Sequence, residues 1–282
     1  MPPRSYPSAR QRRLGAELRK LRERAGMSGS TAAAFLGGER AQISHIESGR
    51  YGVSAERVRR LATHYSATDK HLVDALASMA EERTKGWWEA FRGVLPPGSL
   101  DLAELEHHAT HLRQIEMIQI PGLLQTGQYA RELILGGISV PPAAEVGPRV
   151  EHRIGRRCVF DRPVPMRYES LVHEAALRMR YCADEVVREQ LEFLHEASYW
   201  PGVTLRIVPF AAQITGSVHS VMYAGATVPQ LDTVQIDSAF GSGFLDAEAL
   251  LARYRVLFEA VGAKALDPDE SRAVLRRIAR ER

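Results

Sequence analysis

The sequence predicts a mainly α chain in two parts, a small helical domain over residues 1–76 followed by a larger α+β body over residues 77–282. Charge divides the chain first: residues 1–60 hold 13 Lys+Arg against 5 Asp+Glu, and the remainder holds 24 against 29. Periodicity divides it again. Apolar residues up to Tyr65 recur only at helical spacing, whereas from Met166 onward β-branched and aromatic runs alternate with helical ones. A basic module joined to a mildly acidic body implies that the first part meets a polyanion, since Lys and Arg release counterions from nucleic acid.

In the N-terminal part, Leu14, Leu18, Leu21 and Ala25 mark a first amphipathic helix whose other faces carry Arg12, Arg13, Arg19, Lys20 and Arg22. Gly26 ends it, and Ser28 offers an N-cap to a short second helix reaching Leu36. Gly37-Gly38 supplies the positive φ for a sharp turn into a third helix, Arg40 to Glu47, with Ile43 and Ile46 on its inner face. Val58, Leu61, Ala62 and Tyr65 mark a fourth. Ala33, Gly37, Ile43 and Ile46 form a helix-turn-helix pattern: a small residue where helices cross, a turn glycine, then two apolar anchors of a recognition helix.

The run from Arg13 to Asp69, with QISHIESGR at 42–50, resembles the XRE (phage-repressor-like) family of DNA-binding domains. The resemblance implies a five-helix fold in which Arg40, Ala41, Gln42, Ser44 and His45 of the third helix reach base edges in the major groove. Arg50, Arg13 and Arg19 are then expected on phosphates, where they set register without reading sequence. Relatives usually begin the second helix with Thr-Gln-Glu, where this chain has Ser28-Gly29-Ser30-Thr31, and they commonly carry Lys and Arg where it has Gln42 and His45. Glu39 stands where a small capping residue is usual. These departures remove positive charge from the DNA face and imply altered specificity and weaker affinity. A domain turned toward a protein partner is the alternative.

For the body, the patterns predict a helix over 70–92 ending in Trp87-Trp88, and further helices over 102–118, 127–136, 145–157, 184–199, 246–262 and 269–281. Strands are expected at 166–172, 203–208, 220–225 and 233–237, and a Gly- and Pro-rich loop at 136–148. Trp87-Trp88, Glu106, IPGLLQTGQYAR at 120–131, RVEHRIGRR at 149–157, HEAALRMR at 173–180, QLEFL at 190–194, PGVTLRIVPF at 201–210 and DPDESRAVLRRIA at 267–279 occur in that order. Together they resemble actinobacterial regulators of the WhiJ-like, antitoxin-like group, in which an XRE domain precedes a second domain. That resemblance implies a regulator encoded beside a small partner protein.

In PGLLQT, Pro121 fixes one dihedral, Gly122 permits a close approach, and Gln125-Thr126 offers polar groups. With Trp87 and Trp88 these residues are the candidates for binding a ligand or partner; the competing reading makes Leu123 and Leu124 core, Pro121-Gly122 a plain turn and the aromatics packing. Enzymatic signatures are lacking: there is no G-x-S-x-G elbow and no P-loop, and the isolated Gly241-Ser242-Gly243 signals no nucleotide site. His107, His108 and His111 with Glu104 form the cluster that invites a metal, because His107 and His111 lie one helical turn apart in the expected 102–118 helix, but no further ligand stands at a known spacing, so no metal or other cofactor is expected. Cys158 and Cys182 read as buried thiols of a reducing compartment. Without a membrane-spanning run, the expectation is a cytoplasmic, nucleoid-associated homodimer on a palindromic operator, answering to a small-molecule effector or a neighbouring-gene protein. An antitoxin-like interaction module is the alternative, and an enzyme acting on a small molecule the third reading.

Overall fold

The computed structural model describes residues 6–82, 85–214, 216–238 and 241–282, and it divides into two compact units between Trp87 and Trp88. No helix among the described residues is long and apolar enough to cross a membrane.

The first unit is a bundle of five helices: α1 (Ala9–Arg24), α2 (Gly29–Phe35), α3 (Arg40–Glu47), α4 (Ala55–His64) and α5 (Lys70–Glu81). Four of them start where a short polar side chain accepts a bond from an otherwise orphaned backbone N–H: Ser8, Ser28, Ser54 and Asp69. Glu39 precedes α3 without capping it through its side chain. Leu18, Ala32, Ala33, Ile43, Ile46, Val58, Leu61, Leu72 and Leu76 fill the interior. The helix expected to run to residue 92 stops at Glu81; Arg83 and Thr84 lie outside the described residues, and Trp87–Phe91 forms a separate 3-10 turn. The expected border after residue 76 falls inside α5, and the first unit continues to Trp87.

The second unit is built on a six-stranded mixed sheet in the order β3-β2-β1-β4-β5-β6, from β1 (His111–Glu116), β2 (Arg167–His173), β3 (Val203–Val208), β4 (Val221–Gly225), β5 (Thr233–Ser238) and β6 (Gly241–Leu245). β1, β2 and β3 pair in parallel, so helices must carry the chain back between them. α7 (Gly127–Leu135) and α8 (Ala143–Gly155) lie between β1 and β2, and α9 (Glu174–Arg178) and α10 (Asp184–Ala197) between β2 and β3. The chain enters β1 from α6 (Pro97–His108) and finishes with α11 (Glu248–Gly262) and α12 (Pro268–Arg280). Leu112, Tyr168, Val172, Leu205 and Met222 pack with residues of α7, α10 and α12 on one face; Ile115, Leu171, Tyr223 and Val234 pack with Leu251, Phe258 and Val261 of α11 on the other.

The expected helix over 102–118 is corrected here, because it breaks at His108 and residues 111–116 form the central strand. A strand covered on both faces loses the apolar-polar alternation, and β1 carries Gln114 on a buried face, so its period-2 signal vanished. β6 lies outside the expected strands as well, since glycines weaken a strand pattern. His107 therefore ends a helix while His111 opens a strand, and the one-turn spacing that invited a shared metal does not exist. Cys158 and Cys182 are free and half-buried rather than fully buried.

Candidate functional site

α3 turns Ile43 and Ile46 inward, both at most 3 % exposed, and this fixes what its other face shows. Arg40, Ala41 and Ser44 are exposed, Gln42 and His45 half-buried, and Arg50 is exposed just beyond the helix. Gln42 does not project freely: its amide folds back over Gly38, where a Cβ would come within 2.2 Å of Oε1. His45 leans on Tyr51, with ring centroids 4.7 Å apart. Arg22 holds the end of the helix with a two-pronged bond to Glu47, at 2.6 and 2.9 Å.

One expected phosphate contact needs revision. Arg13 is a buried side chain, 8 % exposed, paired with Glu17 at 3.1 Å, so it braces α1 rather than meeting DNA. Helical periodicity alone places Arg13 toward solvent, and Glu17, one turn on, supplies the charge that allows its burial. Arg19 is exposed and bonds Glu23 at 2.7 Å; each holds the other's charged form, raising the guanidinium's pKa and lowering the carboxyl's.

In the body, each part of PGLLQT has an assignable task. Pro121 is buried and Leu123 and Leu124 are core. Gly122 faces the Arg156 guanidinium, whose Nη1 lies 3.2 Å from where a Cβ would stand. Thr126 caps α7 by accepting from Tyr129 N–H, and its own N–H donates to Gln190 Oε1 at 2.7 Å. Gln125 donates to the Ile120 carbonyl, while its Oε1 accepts from Arg153 Nη1 at 2.8 Å and its carbonyl accepts from Arg157. The tryptophans are elsewhere: Trp88 is buried with its ring 5.0 Å from that of His107, and Trp87, the last residue of the first unit, is half-buried.

Gln125 thus opens onto a group of polar residues that no sequence pattern announced. Alternation along the strands brings Gln114 and Glu116 of β1, Tyr168 and Ser170 of β2, Gln235 and Asp237 of β5 and Ser242 of β6 to one face of the sheet. Tyr168 donates to Gln114 at 2.6 Å and Gln114 donates to Glu116 at 2.7 Å. Gln235 and Ser242 donate to Asp237. Above them Arg156 clasps Glu106, which is wholly buried, through bonds of 2.7 and 2.5 Å. Glu116 and Arg153 each keep part of the side chain accessible, although the surrounding protein strongly desolvates both. Groups desolvated without being sealed line a recess rather than a core.

Burial lifts the Glu116 carboxyl from 4.5 to about 7, with the nearby Asp237 charge adding to the rise and bonds from Ser220 and Gln114 opposing it. The folded chain therefore holds this proton more tightly than the unfolded one. The resulting stability is full below the unfolded value and is lost as pH climbs through about 7. Burial pushes His152 the other way, down to about 4, so its contribution is lost as pH falls. A Glu116→Gln variant separates the two, since His152 is common to both proteins. Wild type is expected to lose up to roughly 3 kcal/mol relative to the variant between about pH 4.5 and pH 8. Paired thermal melts across that range check it.

A family model for a helix-turn-helix domain matches residues 13–76, and one for a domain of unknown function (DUF5753) matches residues 100–277. No curated protein and no solved structure matches the chain. The first match coincides with the unit that presents α3 and points to DNA binding; the second spans most of the sheet-based unit and more than half of the 282 residues. The chain belongs to the DUF5753 family, with a helix-turn-helix domain preceding the family's α+β body.

Proposed function

We propose that the chain is a sequence-specific transcription regulator that binds a palindromic operator as a homodimer, with the DUF5753 body receiving the effector or small protein that sets its affinity. The observation that carries this is α3, whose Arg40, Ala41 and Ser44 stand outward while Ile43 and Ile46 anchor it. Arg40 is suited to a two-pronged contact with guanine, and His45 to a guanine or a phosphate. Arg19 and Arg50 supply phosphate contacts, and the basic balance of residues 1–60 supports salt-sensitive affinity. The resemblance to XRE domains and to WhiJ-like, antitoxin-like regulators supports the same reading.

Operator selection from random duplexes, followed by gel shift, tests it. Replacing Arg40 and His45 together by alanine is expected to leave the fold intact, because neither is core. Preference for the selected site over random DNA should drop by about 1–3 kcal/mol per lost base contact. Unchanged preference would show that α3 is not the reading helix. The antitoxin-like alternative draws on the folded-back Gln42 and the uncapped start of α3, which weaken the DNA face. It would be favoured if no duplex were selected while a small neighbouring-gene protein bound the body.

A further inference from the structure

The polar recess of the body contains an imbalance. Arg156 has Glu106, but among the described residues Arg153 bonds only the neutral amide oxygen of Gln125 and no carboxylate lies within ion-pair reach of it. Burial and the neighbouring charge of Arg156 pull the Arg153 guanidinium down to about 10. It remains a cation near neutral pH, desolvated, with most of its five donors unspent. Such a group costs stability unless something anionic completes it. Across the recess lie the opposite requirements: Glu116 and, at the rim, the exposed Asp237, both acceptors already oriented by Gln114, Gln235 and Ser242. Glu116 is tied to Gln114 and Arg153 to Gln125, with no ion pair between the two, so the recess has an acceptor end and a donor end.

We propose that this recess binds a small zwitterionic molecule, its carboxylate or phosphate seated on the Arg153 fork and its amino group facing Glu116 and Asp237. The proposal rests on reading the body as the effector-binding part of the chain, and it names the residues and the chemistry of that effector. Arg153 supplies recognition of a planar or tetrahedral anion, with Gln125 orienting its fork. Glu116, held by the Tyr168 to Gln114 relay, supplies the acceptor that separates a zwitterion from a simple anion. Arg156 acts behind them as a positioning residue, neutralised by Glu106 and pressed close to Gly122.

The test uses the full-length chain and four probes at constant ionic strength in chloride: acetate, glycine, inorganic phosphate and phosphoethanolamine. Calorimetric titration and thermal melting are expected to show saturable binding by glycine or by phosphoethanolamine, which identifies the anion, and weaker binding by the matching simple anion. Arg153→Gln should weaken that binding by about tenfold or more. Glu116→Gln should remove the advantage of the zwitterion over the simple anion. Without any probe, Arg153→Gln should melt no lower than wild type, because it removes an under-compensated buried charge. If it melts lower, Arg153→Lys replaces it, with the same expected loss because the fork is gone. Responses no greater than that to chloride for all four probes, or equal binding by wild type and the Arg153 variant, would overturn the proposal. Gel shift of wild type without probe reports separately on the regulator reading, so failure of DNA binding and failure of the recess are told apart.

Discussion

Replacing Glu106 by alanine is expected to destabilise the body by about 3–5 kcal/mol, because it strips the anion from a largely desolvated guanidinium. Glu106 is wholly buried on α6, and Arg156 is 9 % exposed. Both bonds of the pair fall between 2.5 and 2.7 Å. Its loss would leave Arg156 beside Arg153, two desolvated cations whose mutual repulsion already lowers the Arg153 pKa. Asp237 is the remaining acid acting on both, and it forms an ion pair with neither. The loss belongs to breaking the pair, not to the worth of having one. The double variant Glu106→Leu with Arg156→Met should therefore recover much of it, since apolar side chains of similar size remove both desolvation costs. Thermal unfolding of the single and double variants checks this. A loss below about 1 kcal/mol for Glu106→Ala would mean that Arg156 relaxes toward Asp237, and that the recess is more plastic than its bonds suggest.

The helix-turn-helix was legible because its information is local. Ser28 caps, Gly37 turns at φ +67°, and Ile43 and Ile46 anchor, each within a few residues of what it controls. Helices α7, α8, α10, α11 and α12 and four of the six strands were legible for the same reason, whereas the α6 pattern ran on into β1 and the short α9 was not expected. β1 was not legible, because a central strand buried on both faces has no alternation to detect. The recess was hidden at a further remove: Gln114 and Asp237 come to one face only once β1 pairs with β4 and β4 with β5, and Arg153 joins them through Gln125. The turn draws attention to Gln125 and Gly122, but their partners Arg153 and Arg156 lie in RVEHRIGRR, about thirty residues further on, with no local signal to join the two runs. Spacing could have given one hint, since Arg149, Arg153 and Arg156 follow one helical stripe, and a stripe of arginines beside the apolar Val146 and Val150 is not a solvated face.

Gly15 was missed for a related reason, and it makes the second large effect. A glycine in mid-helix costs about 1 kcal/mol relative to alanine, so helix propensity alone would favour Gly15→Ala. The packing reverses that sign. A Cβ at residue 15 would lie 2.5 Å from the carbonyl oxygens of both Ile46 and Glu47. These are backbone atoms of the last turn of α3, held by Arg22 through Glu47 and followed by Gly49 at φ +73°, itself pressed against the backbone of Gln11 and Arg12. Neither helix has a flexible side chain at the contact that could yield, so α3 must move away from α1. The expected result is a net loss of roughly 1–3 kcal/mol in the first unit, a shift of several degrees for a domain of this size. Hydrogen exchange in the full-length chain should show α1 and α3 amides losing protection together, while the sheet of the body keeps its own. Operator affinity should fall even below the melting range, because displacing α3 moves Arg40 and His45 away from the bases. Gly29→Ala is the control: its new methyl meets only the Arg40 stem at 3.8 Å, an ordinary contact, and both stability and affinity should stay near wild type. Equal behaviour of the two variants would show that the α1 to α3 crossing is looser than the 2.5 Å approach requires, and that the orientation of the reading helix is set elsewhere.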